Sequence, residues 1–182
     1  MITGVNVDQI FYTEMITMSV SQDMAQEVLQ EVHANKDKIK LVSDATREEN
    51  PDTYATDWSS PVKVNSFENL FENGVANVFK ENGLDVNLES YWTAIYNQNA
   101  VHSMHNHTDT MYHNNRLSGI LYLTSIGETD FFANSVSAKY THHRQNSEFG
   151  KIVIFPSALL HSVNYHHSDK DRYIIAFNMG VS

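Results

Sequence analysis

Hydrophobic positions in the first half of the chain recur with the period of an α-helix. One apolar stripe lies within residues 21–34 and a second lies within residues 66–82. The stripe residues are Met24, Val28, Leu29 and Val32 in the first segment and Phe67, Leu70, Phe71, Val75, Val78 and Phe79 in the second. Ser21 stands at the N-cap position of the first segment, and Gly83 stands where a helix commonly ends in a left-handed residue. The pattern therefore predicts two amphipathic helices that pack against a core.

The pattern changes at Leu84, after which short segments rich in β-branched and aromatic residues alternate with Gly, Asn, Asp and Ser. These segments cover residues 88–101, 102–108, 117–125, 129–135, 151–157, 159–165 and 172–178. Helices followed by a run of short strands indicate a mainly β (α+β) protein, with the helices on one side of a sandwich or barrel. A chain of 182 residues is expected to form a single domain, with a helical part over about 1–83 and a β core over about 84–182.

A polar and charged segment over residues 43–63 separates the two predicted helices and contains two of the three prolines. We interpret this segment as a loop or a mobile flap. Trp58 is its one candidate functional residue, as part of a lid over a bound substrate.

The composition restricts the chemistry available to the protein. There is no cysteine, so disulfide bonds and thiolate ligands are excluded, and any metal must be bound by His, Asp or Glu. The 22 acidic and 12 basic side chains give a formal net charge of −10, which opposes non-specific binding to nucleic acid. The N-terminus lacks the pattern of a signal peptide, and no apolar run is long enough to span a membrane. A cytoplasmic protein without a membrane partner is therefore expected.

A histidine-rich motif in the second half of the chain has the spacing of a metal site. Side chains two apart on a strand point the same way, so His105, His107 and Asp109 can face one point. His161 follows a separate apolar run and can be delivered by a neighbouring strand. Non-haem iron oxygenases bind the metal through two histidines and one carboxylate and leave positions open for substrate and O₂. The ligands are therefore either His107, Asp109 and His161, or His105, His107 and His161.

Arg172 begins the last predicted strand and shares one face of it with Ile174, Ala176 and Asn178. A charge that faces the protein interior is unfavourable unless it meets an anion. A guanidinium is well suited to bind a carboxylate through two parallel hydrogen bonds. Arg172 is therefore interpreted either as the binding group for an acidic co-substrate or as part of a structural salt bridge.

The chain carries, in this order, Trp92, His105-x-His107, "LSGILYL" (117–123), "FPSALLH" (155–161) and "RYIIAFN" (172–178). This order resembles a family of 2-oxoglutarate/Fe(II)-dependent oxygenases found in bacterial and phage genomes, whose core is similar to that of prolyl hydroxylases. The resemblance covers roughly residues 84–182 and implies a double-stranded β-helix, or jelly roll. The chain departs from the family pattern in a longer segment over residues 108–116 and at Ile174, where relatives often have a hydroxyl side chain.

The resemblance also implies which residues bind iron and the co-substrate. Its H-x-H pair falls on His105 and His107 and its distal histidine on His161, so it favours the three-histidine set over the set with a carboxylate. The family's arginine falls on Arg172 and its tyrosine on Tyr122. In the prolyl-hydroxylase relatives, this arginine and tyrosine bind the carboxylates of 2-oxoglutarate.

Together these features predict a dioxygenase that uses Fe(II) and 2-oxoglutarate to hydroxylate an unidentified small molecule or protein side chain. One alternative is a cupin-like dioxygenase with three histidine ligands and no 2-oxoglutarate, although such an enzyme has no need of Arg172. A second alternative is a catalytically silent jelly-roll module that binds a partner or assembles into a larger particle. Metal analysis and succinate formation from 2-oxoglutarate distinguish these possibilities.

Overall fold

The computed structural model describes residues 1–10, 13–42, 54–98, 100–107, 116–132 and 142–181. Within these residues the chain forms twelve β-strands in two antiparallel sheets. The strands of the larger sheet, in order across it, are β1 (Ile2–Ile10), β2 (Thr13–Val20), β10 (Lys151–Pro156), β7 (Arg116–Tyr122), β12 (Arg172–Val181), β5 (Val86–Tyr96), β4 (Tyr54–Thr56) and β3 (Lys40–Val42). Those of the smaller sheet are β6 (His102–His105), β11 (Leu160–Val163), β8 (Glu128–Phe132) and β9 (His142–Asn146).

The helices lie between β2 and β5 in the chain. They are α1 (Gln22–Ala34), a 3₁₀ turn (Lys36–Lys38), α2 (Asn65–Leu70) and α3 (Ala76–Glu81), with a π-helical turn (Phe71–Val75) between the last two. The second predicted helix is therefore continuous but widened at its centre. Gly83 follows it with φ at +79°, the left-handed conformation expected at a helix C-terminus. Ser21 occupies the N-cap position of α1, although its side chain makes no capping hydrogen bond there.

The strands β1 and β2 differ from the sequence-based prediction, which placed no strand before Leu84. Most side chains of β1 are exposed, so this segment shows little of the alternation that marks a half-buried strand. Its partner β2 pairs with β10, with Met18 opposite Ile152. Long-range pairing with the larger sheet therefore decides the conformation of these two strands. The polar strand β9 was not predicted for a similar reason, since it is defined by its pairing with β8.

The helices pack against the outer face of the larger sheet. Phe177 of β12 lies at the centre of this layer, with its ring centroid 5.5 Å from that of Phe67 and 5.9 Å from that of Phe71. Gly119 of β7 lies directly below the Phe177 ring, since a Cβ atom at this position would be 2.1 Å from Phe177 Cζ. The glycine is therefore required by the close approach of an aromatic ring.

A second apolar cluster fills the space between the two sheets. On β12, Ile174 and Ala176 belong to this inner cluster, whereas Ile175 and Phe177 belong to the helix-packed cluster. The alternation predicted from Arg172 onward is therefore present. The smaller sheet contributes Phe131 to the inner cluster. Residues that share the inner face of either sheet are thus brought toward one interior, which is where the candidate site lies.

The polar segment over residues 43–63 is described only from residue 54 onward, and residues 43–53 lie outside the described ranges. Trp58 is 67% exposed, so its predicted role as part of a lid stays a prediction. Among the described residues, no helix has the length and apolar character needed to cross a membrane.

Candidate metal centre

Three histidines converge at one end of the space between the sheets. His105 of β6 and His161 of β11 are directly paired across the smaller sheet. His107 lies two residues beyond β6, and its backbone N–H donates to the Ser157 carbonyl at 2.9 Å. One ring nitrogen from each of the three histidines lies within 4.8 Å of the others. The predicted H-x-H motif and the distal histidine are therefore close enough to share one metal ion.

The hydrogen bonds of His105 and His161 favour metal binding through Nε2. Nδ1 of His105 is 2.8 Å from the Ser103 carbonyl oxygen, and Nδ1 of His161 is 3.0 Å from the Leu159 carbonyl oxygen. A carbonyl oxygen only accepts, so in each ring Nδ1 carries the proton and Nε2 keeps its lone pair. Metal-bound histidines in proteins generally have such a partner on the other ring nitrogen.

His107 is held by side chains of the larger sheet. Its Nδ1 lies 2.9 Å from Ser118 Oγ and 2.9 Å from Asn178 Oδ1. The ring of Trp92 lies beside it, with ring centroids 5.5 Å apart. Sequence reasoning placed Asn178 on the same face as Arg172 and noted the Ser118-Gly119 pair, but it assigned neither side chain to the site. The alternation along β7 and β12 was the signal that places both near His107.

Burial lowers the pKa of two of the three clustered histidines, His107 and His161, and so disfavours their charged forms. It lowers the pKa of His161 well below its usual value, and the neighbouring imidazole of His105 lowers it further. Burial also lowers the pKa of His107, against the opposing effect of its hydrogen bond to Asn178. His102 stacks on His105 with ring centroids 3.9 Å apart, and burial lowers its pKa to about 3. Neutral imidazoles are the form that binds metal, so the site is prepared for a cation at neutral pH.

The chemistry of this donor set fits a divalent transition metal. Imidazole suits iron, nickel, copper and zinc, and three such ligands on one side leave further positions open. Asp109, the alternative ligand to His105, lies outside the described residues. The choice between the two ligand sets therefore stays a prediction.

Arg172 is fully buried between the sheets and has no acidic partner among the described residues. One Nη atom donates to the Glu128 carbonyl and the other to Thr129 Oγ1, both at 2.8 Å. The Nε atom is buried and has no hydrogen-bond partner in the part of the chain that the structure describes. The rings of Tyr96 and Tyr122 lie 5.4 Å and 5.5 Å from the guanidinium carbon. A charged group buried among apolar and aromatic neighbours, with an unused N–H, is suited to bind an anion.

The position of Arg172 relative to the histidines follows from β8. Arg172 donates to Thr129, and Phe131, two residues further along the same face, is paired with His161. Two residues of strand span roughly 7 Å. The guanidinium and the histidine cluster therefore face the same interior, at positions two residues apart along β8.

Tyr122 is fully buried, and its hydroxyl donates to Thr129 Oγ1 at 2.9 Å. It therefore braces the threonine that holds Arg172, and its predicted contact with a co-substrate stays a prediction. The adjacent pairs His142-His143 and His166-His167 are predicted from the sequence to be surface features, and the structure differs for one ring of each pair. His166 is only 5% exposed, and Nε2 of His143 is buried beneath the surface of β9. His142 and His143 are adjacent on β9 and point in opposite directions, so one ring turns inward. His166 lies beyond β11, where its Nε2 is 3.2 Å from the Tyr96 carbonyl oxygen.

No sequence-family model matches the chain, and a search of the curated proteins finds no relative. Solved structures do resemble it. A Pseudomonas putida prolyl-4-hydroxylase is 17% identical with a TM-score of 0.66, and the alignment covers 91% of each chain. The non-haem α-ketoglutarate-dependent epimerase SnoN from nogalamycin biosynthesis is 12% identical with a TM-score of 0.69, over 91% of this chain and 76% of SnoN.

A third similar structure is HygX from Streptomyces hygroscopicus with nickel, 2-oxoglutarate and hygromycin B bound. It is 13% identical with a TM-score of 0.61, and the alignment covers 91% of this chain and 82% of HygX. The fold is the jelly roll of the 2-oxoglutarate-dependent oxygenases. The predicted fold class is therefore confirmed. In this jelly roll the histidine cluster lies at one end of the sandwich, and Arg172 lies deeper between its two sheets.

Proposed function

We propose that the protein is an Fe(II)- and 2-oxoglutarate-dependent dioxygenase that hydroxylates a small molecule or a protein side chain. The observation that carries this proposal is the pairing of a three-histidine cluster with a buried arginine that lacks an acidic partner among the described residues. Similar folds bind these cofactors, since HygX was crystallised with nickel and 2-oxoglutarate and SnoN with Fe³⁺ and α-ketoglutarate.

Iron bound with 2-oxoglutarate supplies the activation of O₂, and the oxidative decarboxylation of 2-oxoglutarate to succinate and CO₂ supplies two electrons. In the proposed site His107 and His161 bind the iron, together with His105 or Asp109. Ligands on one side of the metal leave the other side to the co-substrate and to O₂. The protein thus positions the reactants and excludes water, while the cofactor supplies the redox chemistry.

The proposed role of Arg172 is to bind the distal carboxylate of 2-oxoglutarate. Thr129 and the Glu128 carbonyl fix two arms of the guanidinium, so its remaining N–H groups are oriented before the ligand arrives. Because Arg172 is fully buried, a carboxylate bound to it is screened little by water. A charge-assisted, bidentate interaction is the strongest that one side chain can offer to a carboxylate.

The substrate is expected to enter at the histidine end of the sandwich. Similar folds include a prolyl hydroxylase from Trichoplax adhaerens in complex with a peptide fragment and HygX with hygromycin B bound, so substrates of both classes occur with this fold. Trp92 beside His107 and the segment that contains Trp58 are candidates for contact with the substrate.

The proposal is tested by anaerobic titration of Fe(II)-loaded protein with 2-oxoglutarate, followed by measurement of succinate after O₂ is admitted. Saturable binding and slow succinate formation in the absence of a substrate are expected. Iron binding without any interaction with 2-oxoglutarate would instead favour the cupin-like dioxygenase, and absence of both would favour the silent binding module.

A further inference from the structure

We infer that Asn178 is a positioning residue for the metal, because its side-chain carbonyl fixes His107 in the tautomer that can bind a metal ion through Nε2. The inference rests on the proposed function, since it concerns the same three-histidine cluster. It assigns a role to a side chain that touches neither the metal nor the co-substrate in the proposed site.

Three polar atoms meet beside the His107 ring. Ser118 Oγ and Asn178 Oδ1 are each 2.9 Å from Nδ1 of His107 and 2.8 Å from each other. Ser118 Oγ is also 2.8 Å from Ser157 Oγ. Both serines are buried, so protein groups rather than bulk water satisfy this nitrogen.

The two neighbours of Nδ1 have different effects on the proton. A serine hydroxyl both donates and accepts, so Ser118 alone is compatible with either tautomer of His107. If Ser118 donated to Nδ1, the ring proton would lie on Nε2 and would block the metal. A carbonyl oxygen only accepts, so Asn178 Oδ1 at 2.9 Å disfavours an unprotonated Nδ1 and holds the proton there. Nε2 of His107 is then free to bind the cation.

The orientation of the Asn178 amide is set by its other end. Nδ2 donates to Ser90 Oγ at 3.3 Å, which directs Oδ1 toward His107. Ser90 and Ser118 are the residues paired with Asn178 on the two neighbouring strands, β5 and β7. Ser90, Asn178 and Ser118 therefore lie side by side on three adjacent strands of the larger sheet.

His107 is the ligand whose tautomer depends most on side chains. In His105 and His161 the Nδ1 proton faces the main-chain carbonyl of the residue two positions earlier. Those carbonyls survive any side-chain substitution. The partners of Nδ1 in His107 are the side chains of Ser118 and Asn178, so a single substitution can change the tautomer of this ring.

The test compares Asn178→Asp, which keeps an oxygen acceptor, with Asn178→Leu, which removes it and keeps the branching at Cγ. Long-range ¹H–¹⁵N NMR of the metal-free protein at about pH 8, above the ordinary histidine pKa of about 6.5, reports the tautomer directly. We expect the Nδ1–H form of His107 in the wild type and in Asn178→Asp. In Asn178→Leu we expect the Nε2–H form to appear, because Ser118 is then able to donate to Nδ1.

The second measurement is the dissociation constant for Co(II), used as a probe of the metal site. Loss of a hydrogen-bond partner behind a ligand typically weakens metal binding by about 10–100-fold, and we expect this loss in Asn178→Leu but not in Asn178→Asp. Asn77→Leu, on the exposed side of α3, is the matched control for the loss of an amide. The melting temperatures of the metal-free proteins show whether each variant is folded.

Wild-type tautomer and wild-type Co(II) affinity in folded Asn178→Leu would overturn the inference, as would equal loss of affinity in the aspartate variant. If Asn178→Leu does not fold, Ser90→Ala provides the test, because it frees the amide to turn without altering His107. Mixed tautomers and weaker Co(II) binding are then expected, and no change in either would overturn the inference. A wild type that binds no Co(II) but shows the tautomer change refutes the proposed function, while the effect of Asn178 on the His107 tautomer still stands.

Discussion

His105 and His161 lie directly opposite each other on β6 and β11, and their ring centroids are 4.2 Å apart. Neither imidazole carries a negative charge, so the pair gains nothing from electrostatic attraction between its members. A metal ion between them would give both lone pairs a common partner. The cross-strand register of the smaller sheet therefore brings one histidine from each of the two sequence motifs to the same place.

Removal of His161 is expected to abolish metal binding. His161→Ala removes one of three ligands from a site that has few donors, so iron content should fall from one ion per chain to near zero. Metal analysis after dialysis measures this directly. His167→Ala, which removes an exposed histidine, is the control for a general effect of histidine loss. Full iron content in His161→Ala would contradict the site.

The choice between His105 and Asp109 is decided by a pair of variants. If His105 is the ligand, His105→Ala should lose iron while Asp109→Ala retains it. The opposite result would restore the ordinary set of two histidines and one carboxylate. Both variants are assayed for bound iron under the same conditions as the wild type, and retention of iron in both would exclude both ligand sets.

Substitution of Arg172 is expected to weaken 2-oxoglutarate binding while leaving iron bound. Charge-assisted hydrogen bonds contribute about 1.5–3 kcal/mol each, and about 1.4 kcal/mol corresponds to a factor of ten. Arg172→Ala should therefore raise the dissociation constant for 2-oxoglutarate by at least roughly tenfold. Arg172→Lys should raise it less, because lysine keeps the positive charge but lacks the two parallel N–H donors of the guanidinium. Calorimetric titration of iron-loaded protein measures both variants.

A purely structural arginine would behave differently. Arg172→Ala would then lower the melting temperature through the loss of its hydrogen bonds to the Glu128 carbonyl and the Thr129 hydroxyl, but the folded fraction would keep its affinity for 2-oxoglutarate. Equal affinity in wild type and variant would show that Arg172 does not bind 2-oxoglutarate, and the co-substrate assignment would then be wrong.

Gly119→Ala is expected to destabilise the protein. The new Cβ would lie 2.1 Å from the Phe177 ring, so the ring and the helical layer above it must shift. Overpacking of this kind costs about 1–3 kcal/mol or more in the free energy of unfolding, which urea denaturation measures. Gly4→Ala is the matched control, since its Cβ would meet no atom closer than 3.9 Å. Equal stability of the two variants would show that the Phe177 ring is not fixed.

The metal-free protein is expected to lose stability as the pH falls below about 6.5. Burial lowers the pKa of His102 to about 3 and that of His161 well below its usual value, so the unfolded chain takes up protons that the folded chain does not. The stabilisation is fully present above the unfolded pKa and is lost progressively below it. Thermal melting between about pH 8 and pH 5 measures the slope, which His102→Phe should reduce. An unchanged slope in that variant would contradict the shift assigned to His102.

The sequence predicted those parts of the fold that depend on local pattern. Alternation along the last strand placed Arg172 and Asn178 on one inner face, and the helical stripes placed the apolar residues of the outer layer. The hairpin of β1 and β2 was not predicted, because its exposed residues carry little pattern and its pairing partner β10 lies more than a hundred residues away in the chain. Local pattern contains no information about such a partner.

The candidate site was predicted to a similar extent. Spacing and resemblance identified the histidines that the structure brings together, because H-x-H on a strand directs both rings to one side. The network of Ser118, Ser157 and Asn178 was missed, since a serine or an asparagine on a strand has many possible partners. The inward turn of His166 was missed as well, because adjacent histidines give no indication of which ring is buried.

The histidines are carried by different layers of the sandwich. His105 and His161 belong to the smaller sheet, whereas His107 is anchored through Ser118 and Asn178 to the larger one. An ion bound by all three would act as a cross-link between the layers at the open rim. The folded state would then gain stability with metal concentration. Removal of the ion would release that cross-link and weaken the contact between the two sheets at the histidine cluster.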